Sequence, residues 1–299
     1  MRNRKLNAPL GATLVVLSSF FYATYGIWTT LMGNFFGGYT ASALRSVLVL
    51  VIVFPIALLL RQLEPLNWRH NWRYILGMVV ASLLVWGPLY YAILHAGIGI
   101  TSAVNYTSIV IGMFFFGWLL EGERFSRDKW ISSILGIVGL LLIFTPSVAS
   151  FGWLAFAGAA ASGFSVAANG VIAKKMPYNT MQSTIFLWIS SLVANVIMAL
   201  IIHEPYPQIG WHAQWLYLVF FAIASVAASW SFIGGLKRID AGAAGILGLL
   251  EIVFSVIFGL AFFHQHLGLI VLVGVATVIA AAAIPYIGDY NTKRGTLEA

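Results

Sequence analysis

Glu251 is the side chain in this chain best placed to do chemistry. It interrupts a long apolar run, Asp240 to Gln265, reading DAGAAGILGLLEIVFSVIFGLAFFHQ. At 1.5 Å per helical residue it lies about 16 Å from the start of that run, near the centre of a bilayer if the run is a spanning helix. An ionisable group at that depth is costly and usually functional. Three chemistries are open to it: pairing with a substrate ammonium group, proton coupling, or a structural hydrogen bond to a neighbouring helix. Ala244, Gly248 and Ser255 share its helical face and would give a bulky solute access to the carboxylate. Arg45 is the other ionisable group inside an apolar run. Its nearness to the end of that run lets it snorkel outward, the reading favoured over contact with a substrate carboxylate.

Around these charges run polar and aromatic stripes at helical spacing. One run aligns Ser18, Tyr22, Tyr25 and Thr29; another Ser82, Trp86 and Tyr90, with a kink expected at Pro88. Others align Thr101, Asn105, Ser108 and Gly112, then Ser162, Ser165 and Asn169, then Trp188, Ser191 and Asn195. Taken singly, each is better explained by packing or helix-to-helix hydrogen bonding. Together they predict a polar interior walled by aromatic rings, suited to flat solutes through stacking and to cations through ring faces. The candidate substrate-binding residues are Tyr22, Tyr25, Trp86, Tyr90, Asn105, Asn169 and Glu251.

No enzyme motif is present: the sequence lacks HExxH, G-x-S-x-G and a P-loop, and has no clustered histidines at metal spacing. No catalytic residue, metal or cofactor is therefore expected. There is no cysteine, so neither a disulfide framework nor thiolate chemistry is available.

The elements that position these residues follow from composition. The 299 residues are 61% hydrophobic and 8% charged, against about 25% charged in soluble domains. Ten runs are long enough to span a bilayer at roughly 20 residues each: about 9–33, 38–60, 72–96, 98–120, 127–146, 149–173, 178–202, 211–236, 240–263 and 267–289. The first is too long for a cleavable signal and is read as a retained span. With the N-terminus cytoplasmic, fifteen of the sixteen Lys and Arg residues fall on inner segments, and the sixteenth, Arg45, lies within a span. That partition predicts an N-in, C-in orientation. It also assigns the basic balance to anionic lipid and not to nucleic acid.

A weak internal echo accompanies the ten spans. Ile98 to Glu123 overlays Asp240 to Gln265 at an offset of about 142, placing Phe116 on Phe258, Gly117 on Gly259, Val110 on Ile252 and Glu123 on Gln265. Five spans per half would insert the halves upside down relative to each other, a signature of transporters with a midplane site. The expected fold is an all-α integral membrane protein of ten transmembrane helices in two inverted repeats: residues 1–146, then 147–290, followed by a polar tail, 291–299.

The segments LLEGERFSRDKWISSILGIVGLLLIF and GLLEIVFSVIFGLAFFHQHLGLIVLVG resemble the two signature halves of EamA-type proteins in the drug/metabolite transporter superfamily, and within it the YddG-type aromatic amino acid exporters. The resemblance covers nearly the whole chain. It implies a bacterial inner-membrane exporter of amino acids and related metabolites. The inverted halves in turn predict alternating access around a midplane cavity, with lipid and a small-molecule substrate as partners and a monomer as the expected state. The alternative is a proton-coupled efflux pump for cationic compounds. On the export reading, aromatic rings wall the site, Asn105 and Asn169 bond the amino acid backbone groups and Glu251 meets the ammonium. The sequence departs from the family pattern at Ile252, where proline commonly follows the Glu, and at Gln265, where a second Glu is usual. The second departure suggests that Glu123 caps or pairs locally.

Overall fold

The structure is a computed structural model describing residues 7–65, 68–124, 126–144, 152–205, 207, 210–264 and 268–295. Regular structure among them is entirely helical: α1 (Ala8–Ala23), α2 (Tyr25–Met32), α3 (Gly38–Leu59), α4 (Trp68–Ala96), α5 (Ile98–Phe116) with a π-helical turn at Gly117–Glu121, α6 (Arg127–Phe144), α7 (Trp153–Lys175), α8 (Thr180–Ile201), α9 (Ala213–Leu236), α10 (Ala241–Gly248), α11 (Leu250–Phe263) and α12 (Leu269–Gly295). Residues 291–295 of the polar C-terminal stretch continue α12. Gln265 and His266 lie outside the described residues.

Eight segments among the described residues are long and apolar enough to cross a bilayer: Ala8–Met32, Gly38–Leu59, Asn71–Ala96, Ile98–Glu121, Trp153–Lys175, Thr180–Ile201, Ala213–Leu236 and Ala241–Phe263. Ten were expected. The two that fall short are α6, which opens on Arg127, Asp128 and Lys129, and α12, whose apolar part is Leu269–Ile284.

The polarity of the molecule is reversed relative to a water-soluble bundle. Val51, Leu59, Leu200 and Phe262 stand exposed, whereas Ser46, Ser132, Ser162, Ser183, Ser225 and Ser229 are fully buried. Apolar side chains face outward because lipid is as apolar as they are, so the interior is held by close packing and hydrogen bonds. Glycines allow that packing. Gly11 of α1 meets Ile239 and Gly235, and Gly235 of α9 in turn meets Val15 and the Gly11 carbonyl. Gly139 of α6 and Gly274 of α12 form the same kind of crossing.

Helix boundaries recur along the chain. Gly38–Leu59 and Thr180–Ile201 differ by 142 positions at both ends. Left-handed residues follow at matching places: Arg61 (φ 51°) and His203 (φ 52°), then Gly122 (φ 68°) and His264 (φ 49°), again 142 apart. Packing pairs recur too. Helix α4 packs on α7 as α9 packs on α1; α5 packs on α7 as α10 and α11 pack on α1; α3 pairs with α8, and α6 with α12.

Two long segments are broken. Between α1 and α2 the Thr24 N–H bonds the Phe21 carbonyl, three residues back. The Thr24 hydroxyl donates to the same carbonyl at 2.7 Å and accepts from Trp28 Nε1 at 3.3 Å. A side chain that bonds its own helix carbonyls in this way bends the helix. Between α10 and α11, Leu249 makes a three-residue step in both directions, to the Ile246 carbonyl and from the Ile252 N–H. Each break had been expected to lie within a continuous helix.

Candidate functional site

The two breaks flank one cavity of about 290 Å³, lined by α1–α5 and α7–α11. Tyr22 and Tyr25 enter from either side of the Thr24 break, their rings 5.2 Å apart edge to face. Glu251 enters two residues past the Leu249 break, and its Oε1 accepts the Tyr106 hydroxyl at 2.8 Å. Ala244 and Gly248 line the cavity beside it, and a Cβ at Gly248 would meet nothing within 4 Å. Ser255 lies elsewhere: it is exposed, and its hydroxyl bonds the Glu251 carbonyl at 2.8 Å.

Six of the seven sequence-selected residues line this cavity: Tyr22, Tyr25, Trp86, Asn105, Asn169 and Glu251. Tyr90 does not. It is 56% exposed, because the cavity face of α4 runs through Ser82, Val85, Trp86 and Leu89, and Tyr90 lies off that face. The two asparagines differ in their free capacity. Asn105 donates its amide to the Ala159 carbonyl at 3.2 Å, tying α5 to α7. Asn169 donates to Ser82 Oγ at 3.2 Å, and its buried Oδ1 has no partner among the described residues.

Arg45, Tyr106 and Trp188 are among the lining residues not selected from the sequence. Arg45 was expected to snorkel outward but is 3% exposed. Its face of α3 carries Ser42, Ser46 and Val49, all buried, so the side chain points inward and has no path to the membrane surface. Its guanidinium carbon stands 4.2 Å from the Phe221 ring centre, 5.1 Å from Tyr25, 5.4 Å from Trp188 and 5.6 Å from Trp86. Trp188 is itself fixed by Nε1 donating to Ser229 Oγ at 2.9 Å. Tyr106 adjoins Asn105 in sequence; its proximity to Glu251 depends on how α10 and α11 pack on α5 and α6. Among the described residues no three His, Cys, Asp or Glu side chains are grouped to hold a metal.

Beyond the cavity, charged side chains tie helix ends together. Glu123 accepts the Ala241 N–H at the start of α10, at 2.9 and 2.8 Å, and pairs with Lys174 at the end of α7. Its partner thus comes from another helix and not from the adjacent basic residues. Lys129 pairs with Asp240. Glu204 accepts from the Tyr39 and Thr40 N–H groups at 3.2 and 2.5 Å and from the Thr40 hydroxyl at 2.7 Å, capping α3.

Comparison with known proteins agrees with this architecture. The model of the EamA-like transporter family matches residues 9–145 and again 153–286. A relative from Bacillus subtilis (strain 168), described as the uncharacterized transporter YwfM, is 23% identical over 297 residues, covering 95% of this chain and 96% of that protein. A solved structure described only as a crystal structure of a protein superposes with a TM-score of 0.77 at 17% identity, covering 92% of this chain and 96% of that one; that likeness shows the fold. The chain belongs to the EamA-like transporter family. It is a multi-pass membrane protein and a transporter, with the lipid bilayer and a small-molecule solute as its partners.

Proposed function

We propose that this member of the EamA-like transporter family exports neutral amino acids, aromatic ones included, across a bacterial inner membrane as a monomer. The observation that carries the reading is the shared cavity. It sets a carboxylate, held by Tyr106, inside a chamber walled by Tyr22, Tyr25 and Trp86 at the breaks of two helices. A mid-helix step of three-residue hydrogen bonding often marks a functional hinge. Glu251 meets the substrate ammonium, the Asn169 oxygen accepts a further N–H, and the rings stack against an apolar side chain. Asn105 contributes mainly by joining α5 to α7. The efflux alternative is weaker, since a singly cationic solute would share its chamber with the Arg45 guanidinium.

Alternating access is the proposed mechanism, with ten spans in two inverted halves, residues 1–146 and 147–290, oriented N-in and C-in. Three observations support it. The family model matches twice, helix bounds recur 142 positions apart, and the packing pairs exchange between halves. The basic residues on inner segments support the orientation. The test is counterflow in proteoliposomes loaded with phenylalanine. Labelled uptake without an imposed pH gradient, weakened by Glu251→Gln, is the expected result. Absence of any amino acid flux, with proton-driven movement of cationic dyes, would overturn it.

A further inference from the structure

We infer that Arg45 is a carboxylate-binding subsite in the same cavity, so that the preferred solute carries both an anionic and a cationic group. This inference rests on the export reading above and names the chemistry that reading leaves open. Four observations carry it. The side chain is 3% exposed and lines the cavity. Its Nε and Nη1 have no hydrogen-bond partner among the described residues. It takes part in neither of the ion pairs found among those residues. Its immediate surroundings are the rings of Phe221, Tyr25, Trp188 and Trp86.

Ring faces attract a guanidinium through its charge but do not satisfy the N–H bonds that lie in its plane. The cage therefore holds the cation in position and leaves part of the donor edge unused. A planar fork of N–H donors matches a carboxylate, and charge-assisted pairs of this kind are among the strong hydrogen bonds. A lone buried charge is expensive to keep; an arriving carboxylate supplies the missing counter-charge. Glu251 lines the same cavity on another helix. The pair thus presents one positive and one negative group to one solute, with aromatic walls around it. A zwitterion leaves neither charge uncompensated. A simple amine leaves Arg45 unpaired, and a simple carboxylic acid leaves Glu251 unpaired.

The experiment uses the full chain, wild type and as Arg45→Gln, Arg45→Lys and Glu251→Gln. Three probes are compared: phenylalanine, phenethylamine, which lacks the carboxylate, and 3-phenylpropionate, which lacks the ammonium. Loss of a hydrogen bond to a charged group corresponds to roughly 10- to 100-fold in affinity. Arg45→Gln is expected to weaken phenylalanine and 3-phenylpropionate by that factor and to leave phenethylamine unchanged or tighter. Glu251→Gln is expected to show the opposite selectivity, and Arg45→Lys to fall between. Equal weakening of all three probes by Arg45→Gln, or no change in any, would overturn the subsite. If Arg45→Gln does not yield folded protein, the same probe ratios measured on Arg45→Lys decide the question. A wild type that moves no amino acid, yet binds 3-phenylpropionate in an Arg45-dependent way, would sink the export reading and keep the subsite.

Discussion

Two glycines, Gly163 in the α5–α7 interface and Gly248 at the cavity wall, make opposite predictions for the same substitution. A Cβ at Gly163 of α7 would stand 2.7 Å from Ser108 Cβ, 3.0 Å from the Ile109 nitrogen and closer still to the Asn105 carbonyl oxygen. Ordinary contact begins at 3.4 Å, and two of these three atoms are backbone, so no rotamer change relieves the overlap. Helices α5 and α7 must part by roughly 1 Å, an overpacking penalty of about 1–3 kcal/mol. The Asn105–Ala159 hydrogen bond, 3.2 Å long across the same interface, would stretch with them. At Gly248 the same methyl meets open space within 4 Å. Gly163→Ala is therefore expected to lower the thermal midpoint of detergent-solubilised protein by on the order of 5 °C, and Gly248→Ala to leave it unchanged. In counterflow Gly248→Ala should slow bulky solutes more than alanine, because the new methyl is added to a residue that lines the cavity. The reasoning fails if Gly163→Ala unfolds at the wild-type temperature, or if Gly248→Ala is the less stable of the two.

Other predictions follow from single contacts. Tyr90→Ala should leave apparent affinity for phenylalanine unchanged in counterflow, because the ring is 56% exposed and outside the cavity; a clear loss would restore Tyr90 to the site. Glu123→Ala removes the acceptor of the Ala241 N–H and takes the counter-charge from Lys174, whose side chain is 13% exposed and keeps its bond to the Ile239 carbonyl at 3.0 Å. A lost cap costs about 0.5–2 kcal/mol, and the uncompensated cation adds to it, so this variant should unfold at lower temperature than Lys174→Met in the same assay. Glu204→Ala removes the three acceptor contacts at the start of α3, at a similar cost of about 0.5–2 kcal/mol. Faster hydrogen exchange at the Tyr39 and Thr40 amides would reveal the loss, and unchanged exchange there would refute it.

Eight of the ten expected spans were legible among the described residues because a bilayer imposes one crude requirement, about 20 apolar residues in a row, and the interior polar stripes stand out against that background. Glu251 was legible for the same reason. The breaks at Thr24 and Leu249 were not, since neither residue is a proline or a glycine, and a threonine hydroxyl within a helix does not by itself announce a bend. Arg45 was misread because its distance from the helix end allows an outward reach, and only the face it occupies decides the direction. The small polar neighbours Ser42 and Ser46 were the available signal: they share its face, and a face of that kind turns away from lipid. Tyr90 was misread by continuing a stripe one turn further from Trp86, when the cavity face of α4 passes through Val85 and Leu89. Tyr106 carried no signal of its own, because its link to Glu251 joins residues 145 positions apart.

Breaks, charges and aromatic rings occur together here for one physical reason. Lipid does not accept an ion, so a charge is tolerated only where a cavity or a partner receives it, and a helical step beside the cavity shapes the chamber that does so. Helix α1 packs on both α10 and α11, which brings the Thr24 and Leu249 breaks to the same chamber. Tyr22, Tyr25 and Glu251 follow because they flank those breaks. Arg45 then finds its aromatic cage where α3 packs against α8 and α9. Neither charge pairs with a charged partner within the protein among the described residues. Had the pair been structural, direct contact between guanidinium and carboxylate would have been the less costly arrangement, since each would neutralise the other. Keeping them unpaired across a solute-sized cavity makes sense for a transporter whose third partner is the solute.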